Sequence, residues 1–214
     1  MLTVEEAIKQ RRSIRHFKSD PVPKEMVIQM LEAVRLAPSG SNRQPWRYVV
    51  VTDAEEKKKL RALCVDQSFI EEAPVVFVAC ADPGSYARDS REARSQEFAQ
   101  AGVIQDLTGR FADTAFRQKF IIENEPDAAT VTLSANLMTY ISIEHLVLMA
   151  TALGLGSCWV GAITDKEAIK VTLGIPKNCL VVALIAVGYA QRWPPARPRL
   201  SMEQILLRPL PAIK

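Results

Sequence analysis

The sequence predicts a single α+β domain in which helices flank a sheet, and three patterns support this prediction. Two continuous apolar runs rich in β-branched residues, at 73–81 and 179–188, are typical of buried strands. Apolar side chains from Val27 to Val34 recur at helical spacing. Residues 127–153 are apolar on most faces, as expected of a helix packed on both sides. No repeat or low-complexity block interrupts the chain, so residues 1–214 are expected to form one domain.

Capping and proline signals place the first two helices. Thr3 and Glu6 have the spacing of a capping box, which predicts a short helix that runs toward Arg11. A second, amphipathic helix begins at Pro23, where the fixed φ of proline suits a helix start. This helix is expected to end before Pro38 because proline cannot continue it.

The next segment combines turn-forming residues with a strand. Residues 38–45 contain proline, serine, glycine and asparagine throughout, which predicts an ordered loop. The loop leads into a strand at 46–52, and Asp53 then caps a charged helix at 54–63.

The second half of the chain is organised around the long apolar helix. Residues 82–126 are polar and arginine-rich with weak helical periodicity, and we expect a helical excursion outside the core. Gly154 and Gly156 are predicted to end the long helix, and 157–161 to form a short extended or turn segment. A further helix capped by Asp165 precedes the last strand.

Charge is concentrated at the two ends of the chain. The 27 basic and 24 acidic residues give a net charge of +3, which is too small to imply a nucleic-acid or membrane partner. Residues 1–20 contribute +2 and residues 191–214 contribute +4, whereas residues 21–190 contribute −3. If the two ends meet in the fold, they form a compact anion site on an otherwise slightly acidic protein.

The cysteines and the N-terminus indicate a cytosolic protein without a metal centre. No basic region followed by an apolar run is present at the N-terminus, so no secretory signal is expected. The stretch 131–153 contains Glu144 and His145, which favours a core helix over a membrane span. The thiols have no C-x-x-C spacing, and we expect buried free cysteines at Cys64, Cys80, Cys158 and Cys179.

Four segments have side chains suited to binding, and each also has a plain structural interpretation. Arg11, Arg12 and Arg15 surround Ser13, a set that can bind a phosphate through charge-assisted hydrogen bonds or simply form a solvated basic helix end. The loop at 38–45 offers polar side chains, but it can equally be a plain connection between helix and strand. Its polar side chains are Ser39, Ser41, Asn42 and Gln44.

The other two segments are a glycine-flanked aromatic and a proline-rich tail. Glycines on both sides of Trp159 would allow a flat ring to approach the backbone, although the same glycines suit a helix end followed by a strand. The segment follows a helix rather than a strand, which disfavours a Rossmann site. Arg197 and Arg199 lie on a stiff proline-rich spacer, or on a disordered basic tail.

Taken in order, these segments resemble the FMN-dependent nitroreductase family. The motifs are R-R-S-I-R at 11–15, P-S-G-S-N-R-Q-P-W at 38–46, G-L-G-S-C-W-V-G-A at 154–162, and G-Y-A followed by R-P-R at the end. The resemblance covers essentially the whole chain except roughly residues 82–126. It implies a three-layer sandwich, with a central mixed or antiparallel sheet flanked by helices and a C-terminal arm exchanged in a homodimer.

The resemblance also implies roles for the basic residues. Arg11, Arg12 and Ser13 would contact the FMN phosphate and ribityl chain. Arg15 would face the flavin N1/O2 edge and stabilise reduced flavin electrostatically. The tail cations Arg197 and Arg199 would close over the phosphate.

The remaining contacts implied by the resemblance come from the loop and the glycine-flanked segment. The backbone at Val160 and Gly161 would face flavin N5 and O4, beside Cys158 and Trp159. Val160 is apolar where some relatives have an acidic side chain, so only its main chain can serve there. The loop of a partner subunit would contribute Pro38, Ser39, Gly40, Asn42 and Gln44, and Gly40 replaces the serine of many relatives.

The function implied is a ping-pong oxidoreductase, in which NAD(P)H reduces bound FMN and a nitroaromatic, quinone or similar small molecule accepts the electrons. No catalytic side chain and no metal is expected, because the flavin performs the chemistry. His145 remains open as a substrate contact and Cys158 as a redox thiol, against a packed small side chain. Other flavin chemistry of the superfamily stays open, namely reductive dehalogenation, azoline oxidation or flavin fragmentation, as does a non-catalytic flavin-binding protein.

Overall fold

A four-stranded antiparallel sheet forms the centre of the fold. The computed structural model describes residues 2–106 and 109–211. The strands lie in the order β1-β2-β4-β3, so the two continuous apolar strands occupy the middle of the sheet. Their bounds are β1 (Trp46–Val51), β2 (Val75–Ala81), β3 (Gly156–Val160) and β4 (Leu180–Gly188).

The register places apolar residues opposite one another across the sheet. Val78 of β2 pairs with Val49 of β1 on one side and with Leu184 of β4 on the other. Cys158 of β3 pairs with Ala186 of β4. An irregularity between Ala79 and Cys80 shifts the β2–β4 register near the end of β2.

The helices of the described residues follow the predicted order closely. Asp53, Asp127 and Asp165 each accept a backbone N–H from the first turn of a helix, and Thr3 and Glu6 form the predicted capping box. The helices are α1 (Val4–Gln10), α2 (Lys24–Arg35), α3 (Ala54–Ala62), α4 (Phe69–Glu72), α5 (Arg88–Gln100), α6 (Thr114–Arg117), α7 (Ala128–Ala152), α8 (Lys166–Leu173) and α9 (Met202–Ile205). The short helix α9 lies in the tail, beyond the proline-rich stretch 192–199.

Helices cover both faces of the sheet. On one face, Met30 of α2 and Leu146 of α7 pack against Phe77 and Ile185. On the other face, side chains of α3, α4 and α8 pack against the sheet, and they include Leu60, Ile70 and Ile169. Burying such a side chain stabilises the fold by roughly 1.5–3 kcal/mol each. The arrangement confirms the predicted three-layer sandwich, whereas exchange of the C-terminal arm in a dimer stays a prediction.

Two expectations for the long helix and its end were wrong. Gly156 does not end α7: Gly154, at φ +80°, follows the helix, and Gly156 is the first residue of β3. The helix is also not packed on both sides within one chain. Leu133, Leu137 and Tyr140 are 60%, 50% and 44% exposed, so the described chain leaves this face of the helix largely uncovered. The spacing of these three residues places them on one stripe, which we call the α7 stripe.

Helix α7 is long and apolar enough to cross a membrane. The core helix of a soluble protein can meet the same criterion. The C-terminal half of α7 contains Leu146, Val147 and Ala150, which are fully buried in the fold. Within the described residues no other helix meets the criterion.

The segment between β2 and α7 is helical over most of its described length. It contains α5, α6, three short 3₁₀-helices and a π-helix at Gln118–Glu123. Part of the expected excursion, residues 107–108, lies outside the described residues. Unlike a solvated arginine-rich surface, this segment buries the side chains of Arg91 and Arg117.

Candidate functional site

The basic N-terminal segment lies along the edge strand β3. The backbone N–H of Ile14 donates to the Ser157 carbonyl at 2.9 Å, and Ser13 forms a parallel bridge with Ser157. Ile14 is fully buried against the strand, which anchors the segment. Residues 11–15 therefore follow the rim of the sheet beside the glycine-flanked motif.

The start of the C-terminal tail pairs with the same N-terminal segment. Phe17 forms an antiparallel bridge with Ala190. The Lys18 N–H donates to the Tyr189 carbonyl, and the Gln191 N–H donates to the His16 carbonyl, both at 2.9 Å. The two basic ends of the chain thus meet, as a compact anion site requires.

Three arginines influence the Cys158 thiol of β3 electrostatically. Burial raises the pKa of the Cys158 thiol, and the charges of Arg15, Arg11 and Arg197 partly oppose that shift. All three guanidiniums therefore lie within electrostatic range of Cys158. The thiol itself is buried and protonated, which fits a packed small side chain rather than a redox-active cysteine.

Two of the predicted phosphate contacts have other partners in the structure. The Arg12 guanidinium donates to the carbonyls of Lys9 and Arg11, at 2.7 and 2.9 Å, and so caps the C-terminal end of α1. The Arg199 guanidinium donates to the Pro198 carbonyl at 3.2 Å and so folds back on the tail. Of the predicted cations, Arg11, Arg15 and Arg197 act together at β3.

A surface cavity of about 370 Å³ adjoins this cluster. Ser13 and Arg15 line it from the N-terminal segment, and Arg192 and Trp193 line it from the tail. The Arg15 guanidinium lies 6.0 Å from the ring centre of Phe69, a cation–π distance that helps to hold the charge in place.

The end of β3 presents both a packed aromatic and open backbone. Trp159 stacks on Tyr140 of the α7 stripe, with ring centres 5.8 Å apart. Val160 is buried as a whole residue, with 1% of its surface exposed. Gly161 is exposed, and a Cβ built there would meet no atom within 4 Å, which leaves room for a flat ring.

The loop at 38–44 has an unusual backbone. Ser41, Asn42 and Gln44 all have φ between 48° and 51°, in the left-handed region that residues other than glycine rarely occupy. The Gln44 N–H donates to Ser39 Oγ at 3.0 Å, which holds the loop in this shape. Such strain costs roughly 1–3 kcal/mol per residue and is typical of functional segments. Gly40 has open space where a side chain would project.

The loop is not brought to the arginine cluster within one chain. It precedes β1 at one edge of the sheet, whereas Ser13 and the arginines lie along β3 at the other edge. Three strand spacings, about 14 Å, separate these edges. Pro38, Ser39, Gly40, Asn42 and Gln44 thus form a separate half of the predicted site.

The structure adds two residues that the sequence did not single out as contacts. Ser157 Oγ is buried beside Ser13 and has no hydrogen-bond partner in the described part of the chain. Tyr140 stacks on Trp159, a contact that helical spacing alone does not reveal. His145 Nδ1 lies 3.0 Å from the Ile141 carbonyl of its own helix, so a structural partner occupies that ring nitrogen.

Comparisons with known proteins agree with this geometry. The model of the family described as the Nitroreductase family matches residues 8–189. A Thermus thermophilus protein named NADH dehydrogenase is 35% identical over 97% of this chain and 96% of its own length. A Bacillus subtilis protein named FMN reductase [NAD(P)H] is 27% identical over 96% of this chain and 73% of its own.

The fold is also found among solved structures. A crystal structure of an Exiguobacterium sibiricum protein in complex with FMN superposes with a TM-score of 0.81. The two chains are 25% identical, and the match covers 96% of this chain and 97% of the other.

Proposed function

The chain belongs to the nitroreductase family, and we propose that it is a homodimeric oxidoreductase that binds FMN and uses NAD(P)H to reduce a small-molecule acceptor, such as a nitroaromatic or a quinone. The observation that supports this most directly is that the basic segment around Ser13 pairs with β3 and that the start of the basic tail pairs with the same segment. The relatives named NADH dehydrogenase and FMN reductase support the choice of reductant and cofactor.

The residues at β3 fit the phosphate of FMN. A phosphate needs several cationic or hydroxyl donors, and this edge offers the three guanidiniums together with Ser13. Ser157 Oγ is a buried hydroxyl without a partner among the described residues, and it lies beside Ser13. Glu144 lies within electrostatic range of Arg11: burial raises the pKa of its carboxyl group, and the charge of Arg11 partly opposes that rise.

The same edge fits the flavin ring. Gly161 is exposed and leaves open space for a planar group next to the buried Val160. Bound FMN would supply the chemistry, by accepting a hydride from NAD(P)H and passing the electrons to the acceptor. Arg15 would supply a fixed positive charge that stabilises the negative charge of the reduced ring.

A second copy of the chain completes the site in this proposal. The α7 stripe lies between the two half-sites, because Gly40 of the loop contacts Met138 of α7 and Trp159 of β3 stacks on Tyr140. A symmetric dimer that buries the stripe would bring the loop of one subunit to the β3 edge of the other. Exposed apolar side chains on α7 favour this burial.

We further propose that residues 1–214 form one FMN-binding domain and that the protein works in the cytosol. The free thiols at Cys64, Cys80, Cys158 and Cys179 support a reducing compartment.

The proposal is tested first by the colour and redox response of the purified protein. Flavin absorbance should accompany the protein through gel filtration, and anaerobic mixing with NADH or NADPH should bleach it in a stopped-flow instrument. A colourless protein that does not bind added FMN contradicts the cofactor. Bound FMN that neither reductant bleaches contradicts the reductase and favours a non-catalytic flavin protein.

An acceptor screen then tests the class of reaction. The reduced enzyme should be reoxidised under anaerobic conditions by nitrofurans or quinones, with turnover in steady state. If these acceptors fail while halogenated aromatics or azolines react, another chemistry of the superfamily replaces the one proposed here.

A further inference from the structure

A second group of cations lies between the loop at 38–44 and the helices that follow β2. Arg43 comes from the loop, Arg91 and Arg94 come from α5, and Arg117 comes from α6. Together with Ser41, Ser95 and apolar neighbours they line a cavity of about 140 Å³, which we call the arginine cavity. It lies at the β1 edge of the sheet, away from the arginines at β3.

The arginine cavity is built from buried side chains. Arg91 and Arg117 are only 3% and 5% exposed. Arg117 Nη2 donates to Ser95 Oγ at 2.7 Å, which fixes that guanidinium. Two other guanidiniums share one acceptor, since Arg43 Nη2 and Arg91 Nη1 donate to the Ile121 carbonyl at 3.3 and 3.4 Å. Positive groups are thus held close together by a neutral oxygen.

Two donors of this cluster are left without acceptors. Arg43 Nη1 and Arg91 Nε are buried, and neither has a hydrogen-bond partner within the described residues. A buried N–H of a guanidinium without an acceptor is costly, because it has lost its hydration without replacement. The two atoms belong to side chains that line the same cavity.

The cluster also lacks an internal counter-charge among the described residues. Burial and the charge of Arg91 lower the pKa of Arg43, as expected for two cations confined together. Glu125 lies 3.8 Å from Arg91 but is 72% exposed, and Glu97 pairs with Arg94 on the surface of α5. Both carboxylates thus lie outside the buried part of the cluster.

We propose that the arginine cavity binds a small oxyanion, a phosphate or carboxylate group, with the guanidiniums of Arg43, Arg91 and Arg94 as donors. Guanidiniums are suited to such groups because their planar N–H pairs match the spacing of two oxygens. The cavity has the volume of only a few waters, at about 30 Å³ each, so the bound group is small or is the end of a larger molecule. Since Ser41 lines the cavity, the anion also braces the strained loop.

Titration calorimetry of the FMN-loaded protein tests the proposal. Inorganic phosphate and malonate are the probes, at constant ionic strength, and FMN occupies the β3 cations so that they do not bind the probe. We expect saturable binding of at least one anion, and the stronger of the two identifies a phosphate or a carboxylate ligand. Absence of saturable binding of both anions overturns the proposal.

Variants on α5 locate the binding. Arg94→Gln, at a partly exposed position on the cavity wall, and Arg91→Lys, which keeps the charge but loses Nε–H, should each weaken binding by about tenfold or more. Arg88→Gln is the matched control, because Arg88 is on the same helix but pairs with Glu92 outside the cavity. Equal weakening in Arg88→Gln overturns the proposal. If Arg91→Lys does not fold, Arg94→Gln decides.

The inference is independent of the flavin. If the protein retains no FMN, the same titration is made with Arg197→Ala, which weakens the anion site at β3 but leaves the arginine cavity intact. Saturable binding that persists in Arg197→Ala and is weakened by adding Arg94→Gln supports the arginine cavity even if the proposed oxidoreductase function fails. Loss of binding in Arg197→Ala alone assigns the anion to β3 and overturns the proposal.

Discussion

The side chain of Ile14 occupies the space that a side chain at position 156 would need. A Cβ on Gly156 would lie 2.5 Å from Ile14 Cγ1 and 3.0 Å from Ile14 Cβ. Ile14 is fully buried and cannot easily move away. Ser13 and Arg15 flank it, so the position of the cationic segment on β3 depends on the missing side chain at Gly156.

Gly156→Ala should therefore destabilise the protein and weaken FMN binding together. Overpacking of a buried contact costs about 1–3 kcal/mol, which thermal unfolding should report as a lower Tm. FMN affinity, measured by fluorescence, should fall because Ser13 and Arg15 are displaced. Gly161→Ala is the control: its Cβ meets no atom within 4 Å, so the FMN-free protein should keep its Tm. Equal Tm values for the two variants would contradict the steric argument.

The tail cation Arg197 should contribute to phosphate binding. Removing one charge-assisted hydrogen bond costs about 1.5–3 kcal/mol, so Arg197→Ala should weaken FMN binding by about tenfold or more. Arg208→Ala is the matched control, since Arg208 is exposed further along the same tail. The dissociation constants of both variants can be measured by titrating FMN into stripped protein. If both variants bind FMN as wild type does, the tail does not close over the phosphate.

The α7 stripe should be the main dimer contact. Leu137→Glu introduces a charge at the centre of an apolar stripe, which is costly when that stripe is buried between subunits. We expect light scattering to report a monomer and the protein to lose FMN, because the partner's loop is then absent. Val171→Glu is the control, at an apolar position that is 84% exposed on α8, on the opposite face of the sheet. A dimer that survives Leu137→Glu would place the interface elsewhere.

Buried thiols should make stability decrease at alkaline pH. Burial raises the pKa of Cys64 to about 11 and of Cys80 to about 12, from an ordinary value of 9.0. As the pH rises above 9.0, the thiols ionise in the unfolded protein before they ionise in the folded protein. Their contribution to the free energy of unfolding is therefore complete below this pH and is lost as the pH rises toward the pKa of the folded thiols. Denaturant unfolding at a series of pH values should show this decline.

Two variants separate ionisation from packing. Cys80→Ala should flatten the alkaline decline, because one raised pKa is removed. Val78→Ala, in the same strand, should lower the free energy of unfolding at every pH and keep the slope. A slope unchanged by Cys80→Ala would mean that other groups cause the decline.

The folded protein should also resist alkylation of Cys158 at neutral pH.

Much of the fold was predictable because its signals are local. Asp53, Asp127 and Asp165 cap helices through bonds to residues three positions away, so a short stretch of sequence contains the whole interaction. The apolar runs that became β2 and β4 needed only composition and length. The basic motif around Ser13 and the tail arginine Arg197 were likewise visible, because clustered charge is a property of the sequence itself.

By itself, then, the sequence determined most of the elements, the aspartate caps, the basic ends and the family resemblance. Only the tertiary structure decided that Gly156 belongs to a strand, since the reason is its contact with Ile14 on a distant segment. It also decided that Arg91 is buried and that the loop at 38–44 lies across the sheet from the β3 arginines. These facts depend on strand order and on packing between layers, and residues far apart in the chain set both.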